Sequence, residues 1–171
     1  MKKKILLGLA AIFIILQFFR VDKNLSNDRT NDITTKYNIP PEVSTLLSDA
    51  CYNCHSNHTK YPWYYNIQPV AWWMNHHVKK GKQRLNFSDF TSKKIAVQNR
   101  KFEGIIENVR DKTMPIPSYT WFGLHPEAHL TDPERDLIIK WAEEQKEILK
   151  AQYPADSLKM PKRPQVPSKS N

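Results

Sequence analysis

The ten residues "DACYNCHSNH", 49–58, contain both cysteines of the chain, Cys51 and Cys54, with His55 directly after the second. Two thiols three positions apart on a tight turn can reach the two vinyl groups at one edge of a porphyrin. The adjacent imidazole can then take one axial position on the iron. The pattern Cys-x-x-Cys-His is typical of covalent c-type haem attachment. We predict one haem c, held by thioethers at Cys51 and Cys54, with His55 as the proximal iron ligand.

Three other uses of the two cysteines compete with haem attachment. An exported protein meets an oxidising compartment, where a disulfide between them would stabilise a binding module without a cofactor. A thioredoxin-like redox pair requires a β-α-β context, which the sequence does not show. A structural zinc site requires four ligands, and His58 could only complete a makeshift set.

The iron can take a second axial ligand from the opposite face of the ring. Met114 lies in the segment "KTMPIP", whose two prolines would stiffen the loop around the thioether. We predict Met114 as the distal ligand, and Met/His ligation raises the reduction potential of a haem iron. The alternative distal ligands are His125, His76 and His77.

Residues 39–150 are predicted to form one helical domain. Apolar residues recur at helical spacing after Pro41 and again from Phe102 to Val109, and "TDPE" at 131–134 has the form of a capping box. Gly81 is expected to end the helix that precedes it. Because no sustained period-two pattern indicates a strand, we predict an all-α, cytochrome c-like domain with long loops around the haem.

Six aromatic residues crowd the segment that follows the cysteine motif, and we expect them to pack in a core that the haem completes. They are Tyr61, Trp63, Tyr64, Tyr65, Trp72 and Trp73. No residue is assigned to the haem propionates.

The two ends of the chain differ from this domain in composition. Residues 1–20 begin with three lysines followed by an uncharged run from Ile5 to Phe19, without a small-residue cleavage site. This pattern predicts an uncleaved signal anchor that leaves the domain on the periplasmic side of a bacterial cytoplasmic membrane, with a cleaved signal as the alternative. Residues 21–38, rich in Asn, Asp and Thr, are predicted to be a polar tether, and residues 151–171, rich in Pro and Lys, a disordered tail.

The charge distribution argues against nucleic-acid binding. The net charge is +9, but four of the 26 basic residues lie within residues 1–20, which contain no acidic residue. The remaining charge is mixed, without a basic patch that alternates with stacking aromatic residues.

Two longer stretches resemble the bacterial haem-binding domain family, small cytochrome c-like proteins behind an amino-terminal membrane segment. They are "CYNCHSNHTKYPWYYNIQPVAWWMNHH" at 51–77 and "MPIPSYTWFGLHPEAHLT" at 114–131, and the resemblance covers roughly residues 40–145. It implies the same two thioether cysteines, the same proximal histidine and Met114 as the distal ligand. It says little about partners.

The expected function is that of a membrane-tethered monohaem electron carrier rather than an enzyme, because two occupied axial positions leave no site for a substrate. The sequence does not identify the redox partner proteins. The alternatives are a haem peroxidase or gas or redox sensor with an open or displaceable distal position, and a disulfide-stabilised binding module.

Overall fold

Helices and loops make up the whole of the computed structural model, which describes residues 1–161. The α-helices are α1 (Lys2–Leu16), α2 (Pro41–Ala50), α3 (Tyr52–His55), α4 (Val70–Arg84), α5 (Ile95–Arg110) and α6 (Asp132–Gln152). Short 3-10 helices lie at Ile33–Thr35, Trp63–Asn66, Pro117–Tyr119, Trp121–Gly123, Pro126–Ala128 and Ala155–Leu158. Within the described residues there is no β-strand, so the predicted all-α class is confirmed.

The apolar core lies between α2, α5 and α6. Helix α5 buries the predicted stripe against α6, namely Phe102, Ile105, Ile106 and Val109. Trp141 of α6 is 2% exposed and packs edge-on against Phe102, with ring centroids 5.7 Å apart. Helix α6 begins at the predicted capping box, in which the Thr131 N–H donates to the Glu134 carboxylate at 2.7 Å. Burial of each large side chain contributes about 1.5–3 kcal/mol, so this three-helix core supports the fold.

Helix α4 does not end at Gly81, and the predicted boundary is wrong. The helix continues for three more residues to Arg84. The glycine is used for packing instead, because a Cβ at position 81 would lie 2.6 Å from the carbonyl oxygen of Cys54.

The segment predicted as a tether, residues 21–38, packs on the domain over much of its length. The Asp32 carboxylate caps a short helix by accepting a hydrogen bond from the Thr34 N–H at 3.0 Å. Ile33 is 0% exposed and Tyr37 is 4% exposed, and both belong to the apolar core. The polar residues of this segment act as caps and hydrogen-bond partners, and the folded domain therefore begins before residue 39.

The two ends of the described chain differ from one another. Residues 155–158 form a helical turn against α5, where the Asn99 amide donates to the Leu158 carbonyl at 3.1 Å. This part of the predicted tail is therefore packed, and residues 162–171 lie outside the described residues.

Helix α1 has no buried residue. Among residues 1–161, no helix has both the length and the apolarity needed to cross a membrane.

Candidate functional site

A cavity of about 580 Å³ lies among the cysteine motif, α4, α5 and the loop after α5. Its lining includes all four residues that the sequence predicts to bind the cofactor: Cys51, Cys54, His55 and Met114. The structure therefore brings together residues that are 60 positions apart in the chain. Cavities of about 300–1,000 Å³ are usual for cofactors.

The cysteine motif forms one turn of helix directly after α2. Cys51 ends α2 and begins α3, and its carbonyl oxygen accepts from the N–H groups of Cys54 at 3.1 Å and His55 at 3.0 Å. Residues three and four positions apart lie on the same side of a helical turn. This turn therefore presents both thiols and the imidazole on one side of the motif.

The imidazole of His55 is oriented by a main-chain carbonyl. Its Nδ1 lies 3.0 Å from the Leu85 oxygen, which can only accept, so Nδ1 carries the proton. The lone pair on Nε2 is then available to a metal, the usual arrangement for a ligating histidine. Burial lowers the pKa of His55, which favours the neutral form that binds metal.

Both cysteines are free thiols in the structure. Burial raises the pKa of Cys51 to about 12 and that of Cys54 to about 11. Thiol–disulfide exchange proceeds through the thiolate, which a raised pKa makes scarce at neutral pH, so these thiols are poorly suited to a thioredoxin-like reaction.

Two glycines set the shape of the cavity wall. At Gly81, the close approach to the Cys54 carbonyl lets α4 pack directly against the motif. At Gly104 of α5, which also lines the cavity, a Cβ would meet nothing within 4 Å. An open wall at Gly104, together with two thiols, an imidazole and a thioether, fits a large flat group with an iron centre. The residues present therefore fit a covalently attached haem.

The loop that carries Met114 is fixed to the ends of two helices. The Met114 N–H donates to the Asn108 carbonyl at 3.1 Å. The Arg135 guanidinium donates to the Met114 carbonyl at 2.8 Å and to the Val109 carbonyl at 3.2 Å. Arg135 was not identified from the sequence, because its role depends on the packing of α6 beside the end of α5.

The alternative distal histidines are placed differently from one another. His125 does not line the cavity; its Nε2 lies 2.6 Å from the Tyr64 hydroxyl and its Nδ1 lies 3.1 Å from the Glu127 carboxylate. Both of its ring nitrogens are thus engaged. His76 and His77 do line the cavity and are the alternatives that the geometry leaves in place.

The expectation that six aromatic residues from Tyr61 to Trp73 pack in a core completed by the haem is wrong for the cavity, although Tyr65 itself is buried. None of the six lines it, and Trp63 is 76% exposed. Helix α4 buries the side defined by Ala71, Asn75 and Val78, which leaves both tryptophans of its first turn towards solvent.

Basic side chains line the cavity at positions that the sequence analysis did not assign. They are Lys80, Arg84, Arg100 and Lys101. Arg100 is paired at 3.0 Å with Glu107, which among residues 1–161 is the only acidic residue of the lining. Within residues 1–161, Lys80 and Arg84 are in no ion pair. His76, Lys80 and Arg84 follow one another at intervals of four residues along α4, so they lie on one side of the helix. This spacing is the feature of the sequence that could have indicated their shared position.

Comparisons with known proteins give one match. A model of the haem-binding domain family matches residues 11–144, which is well over half of the chain. The matched range contains every residue that lines the cavity. Neither the curated proteins nor the solved structures contain a match. The chain therefore belongs to the haem-binding domain family.

Proposed function

We propose that the protein is a cytochrome c-like carrier of single electrons with one covalently attached haem. The observation that supports this most strongly is the placement of Cys51, Cys54 and His55 in the same cavity as Met114. A Met/His-ligated c-type site requires these four side chains around one cavity, and the cavity draws them from separate parts of the chain.

Each of these residues has a distinct role in the proposal. Cys51 and Cys54 would form the thioether bonds, and His55, oriented by Leu85, would offer Nε2 to the iron. Met114 would offer its sulfur from a loop that Arg135 holds in place. When bound, the haem supplies one-electron oxidation and reduction, and the protein tunes its potential through the axial ligands and burial.

The basic residues of α4 are the candidates for the two haem propionates. Lys80 and Arg84 line the cavity without an ion pair among residues 1–161, whereas Arg100 is already paired with Glu107. Charge-assisted hydrogen bonds to carboxylates are about twice as strong as neutral ones. Lys80 and Arg84 would therefore orient the carboxylate edge of the ring.

A reduced pyridine haemochrome spectrum tests the cofactor assignment. We expect the spectrum of haem c in the wild-type protein made with a working haem-attachment system. The Cys51→Ala and Cys54→Ala variants each retain at most one thioether and should show the shift that accompanies an unreacted vinyl group. A wild-type spectrum of free haem would overturn covalent attachment. The absence of pigment would overturn haem binding and favour the disulfide-stabilised module.

Binding of carbon monoxide separates an electron carrier from a haem sensor or peroxidase. If both axial positions are filled by protein groups, the reduced protein should resist carbon monoxide and the oxidised protein should bind cyanide only slowly. The Met114→Ala variant, in which the distal group is removed, should bind them readily and serves as the positive control. Fast binding by the wild-type protein would support the sensor or peroxidase instead.

The proposal places the protein at a bacterial cytoplasmic membrane, with the domain on the periplasmic side and α1 as the anchor. In support, α1 is uncharged after its three lysines and buries no residue against the domain; Leu6 and Leu7 are 69% and 71% exposed. Lysines beside a membrane segment favour the cytoplasmic side, so the three lysines would keep the amino terminus in the cytoplasm and leave the domain on the opposite side. We expect the pigment in carbonate-washed membranes, and replacement of residues 2–16 by a cleavable signal peptide should release it. Wild-type pigment found only in the soluble fraction would contradict the anchor.

A further inference from the structure

We propose that the domain face carrying Trp63, Trp72 and Trp73 rests on the lipid headgroup layer of the membrane that receives α1. The inference rests on the proposed anchor and adds an orientation to it. The face, called here the tryptophan face, consists of these three residues.

The end of α1 is fixed to the domain at Gln68, which lies between Trp63 and Trp72 in the chain. The Gln17 side-chain amide donates to the Gln68 main-chain carbonyl at 3.3 Å, and the Gln68 main-chain N–H donates to the Gln17 side-chain oxygen at 2.9 Å. The Gln68 side-chain amide donates to the Phe19 main-chain carbonyl at 2.6 Å. Gln68 is 0% exposed, so this joint is part of the folded domain.

The residues after the joint are fastened as well. The Arg20 guanidinium donates to the Asn66 carbonyl at 2.7 Å. The Asn24 amide donates to the Ser56 carbonyl at 2.8 Å and to the Thr59 hydroxyl at 3.0 Å. Because no free spacer separates α1 from the domain, insertion of α1 would set the orientation of the domain.

The three tryptophans lie on either side of Gln68 in the chain, and their side chains are exposed. Trp63 begins the 3-10 helix before Gln68, and Trp72 and Trp73 lie in the first turn of the helix after it. Their exposed fractions are 76%, 38% and 45%. Tryptophan is enriched at membrane interfaces, where its ring meets apolar chains and its N–H meets polar headgroups.

Positive charge lies at the same joint. A cleft of about 370 Å³ beside Gln68 is lined by Arg20 and Lys23. Neither residue forms an ion pair within residues 1–161. The Arg20 guanidinium donates to the Asn66 carbonyl, and the Lys23 ammonium lies 5.5 Å from the centroid of the Tyr61 ring, so both residues place a positive charge beside the joint. An apolar helix that joins the domain between exposed tryptophans has the composition of a membrane interface, which favours lipid over a protein partner as the occupant.

This orientation brings the haem cavity close to the membrane surface. The Trp73 ring packs against the His77 ring with centroids 4.5 Å apart, and His77 lines the cavity. The edge of the haem site near His77 would then face reactants that travel in or along the membrane.

Fluorine NMR of the full-length haem-loaded protein in lipid nanodiscs tests the inference. Tryptophan is replaced by 5-fluorotryptophan, each signal is assigned from a single Trp→Phe variant, and the protein is kept reduced. The discs contain anionic lipid with or without a headgroup spin label. We expect the signals of Trp63, Trp72 and Trp73 to lose at least twice as much intensity as that of Trp141, the core residue that serves as the internal control.

The contrary results separate the inference from the anchor on which it rests. If the protein enters the discs but the three signals respond no more than Trp141, the orientation is wrong and the anchor stands. If the protein does not enter the discs, the anchor itself fails. Signals that change with protein concentration rather than with spin-labelled lipid would make the tryptophan face a contact between copies, which also overturns the inference.

Discussion

The Nδ1 atom of His55 lies 3.0 Å from the carbonyl oxygen of Leu85, the residue directly after α4. One turn earlier, Gly81 of the same helix approaches the Cys54 carbonyl so closely that a Cβ would lie 2.6 Å from it. Helix α4 thus positions both the backbone of the cysteine motif and the ring of its histidine. The geometry of the site depends on this helix as much as on the motif.

The two cavity glycines give a matched pair of predictions. In the haem-free protein, Gly81→Ala should be destabilising by a few kcal/mol, because the new methyl group meets the backbone of the motif. Gly104→Ala in the same haem-free protein should be neutral or stabilising by up to about 1 kcal/mol, because alanine favours the helix and no described protein atom lies within 4 Å of the new methyl group. Chemical denaturation of both variants checks the pair. Equal effects of the two substitutions would contradict the close packing of α4 on the motif.

Replacement of Met114 tests the distal ligand. Met114→His should lower the reduction potential by on the order of 0.1 V, because exchange of Met/His for His/His ligation removes the stabilisation of the reduced iron. The methionine-to-iron absorption band should disappear as well. Redox titration of the variant, with His76→Ala and His77→Ala as controls, measures the change. If the reduction potential changes in His76→Ala or His77→Ala and not in Met114→His, the distal iron ligand is a histidine of α4 and not Met114.

Arg135 should act on the iron only through the Met114 loop. Its guanidinium links the Met114 carbonyl to the end of α5, and a hydrogen bond to a charged group contributes about 1.5–3 kcal/mol. Arg135→Ala should therefore weaken methionine ligation, so that the methionine-to-iron band is lost at lower temperature than in the wild type. Arg110→Ala, which removes an exposed pair with Glu143 at 3.0 Å, serves as the control and should leave the band unchanged. Loss of the band at the wild-type temperature in Arg135→Ala would contradict the positioning role.

Asp32 gives a prediction for the pH dependence of stability. Burial alone would raise the pKa of Asp32, but its hydrogen bonds with Arg29 and Thr34 outweigh burial and hold the pKa below the ordinary value of 3.8. The charged carboxylate therefore stabilises the fold above about pH 4, and this stability is lost as the pH falls through the lowered pKa. Asp32→Asn keeps an oxygen for the Thr34 N–H but loses the charge. It should cost about 1 kcal/mol at neutral pH, since Arg29 is largely exposed.

Denaturation of wild type and Asp32→Asn between pH 3 and pH 7 checks this expectation. The stability of the variant should fall less steeply below about pH 4 than that of the wild type. Parallel curves would show that the contacts of the folded state do not lower the pKa of Asp32.

The helices of the core and the cysteine motif follow from local patterns, and for that reason they could be predicted from the sequence. The stripe from Phe102 to Val109 and the capping box at Thr131 are periodic or short-range signals, and the structure has both. The motif at Cys51 carries its chemistry in five consecutive residues. Such features require no knowledge of what packs beside them.

The features that the sequence did not reveal depend on long-range packing. The segment from Asn24 to Tyr37 is polar in composition, yet its side chains bond to residues far along the chain and bury Ile33 completely. Gly81 resembles a helix end and is instead a contact with Cys54. The tryptophans of α4 resemble core residues, but the buried side of the helix is set by smaller neighbours such as Ala71.

The intact mass of the denatured, acid-extracted protein tests the covalent haem most directly. After maturation in a host that attaches haem, the wild-type chain should keep its pigment and exceed the mass of its polypeptide by one haem. A peptide spanning Cys51 and Cys54 should carry the added mass, and the Cys51→Ala, Cys54→Ala double variant should carry none. If acid extraction removes all of the pigment and leaves the bare polypeptide mass, the protein has no thioether-bound haem.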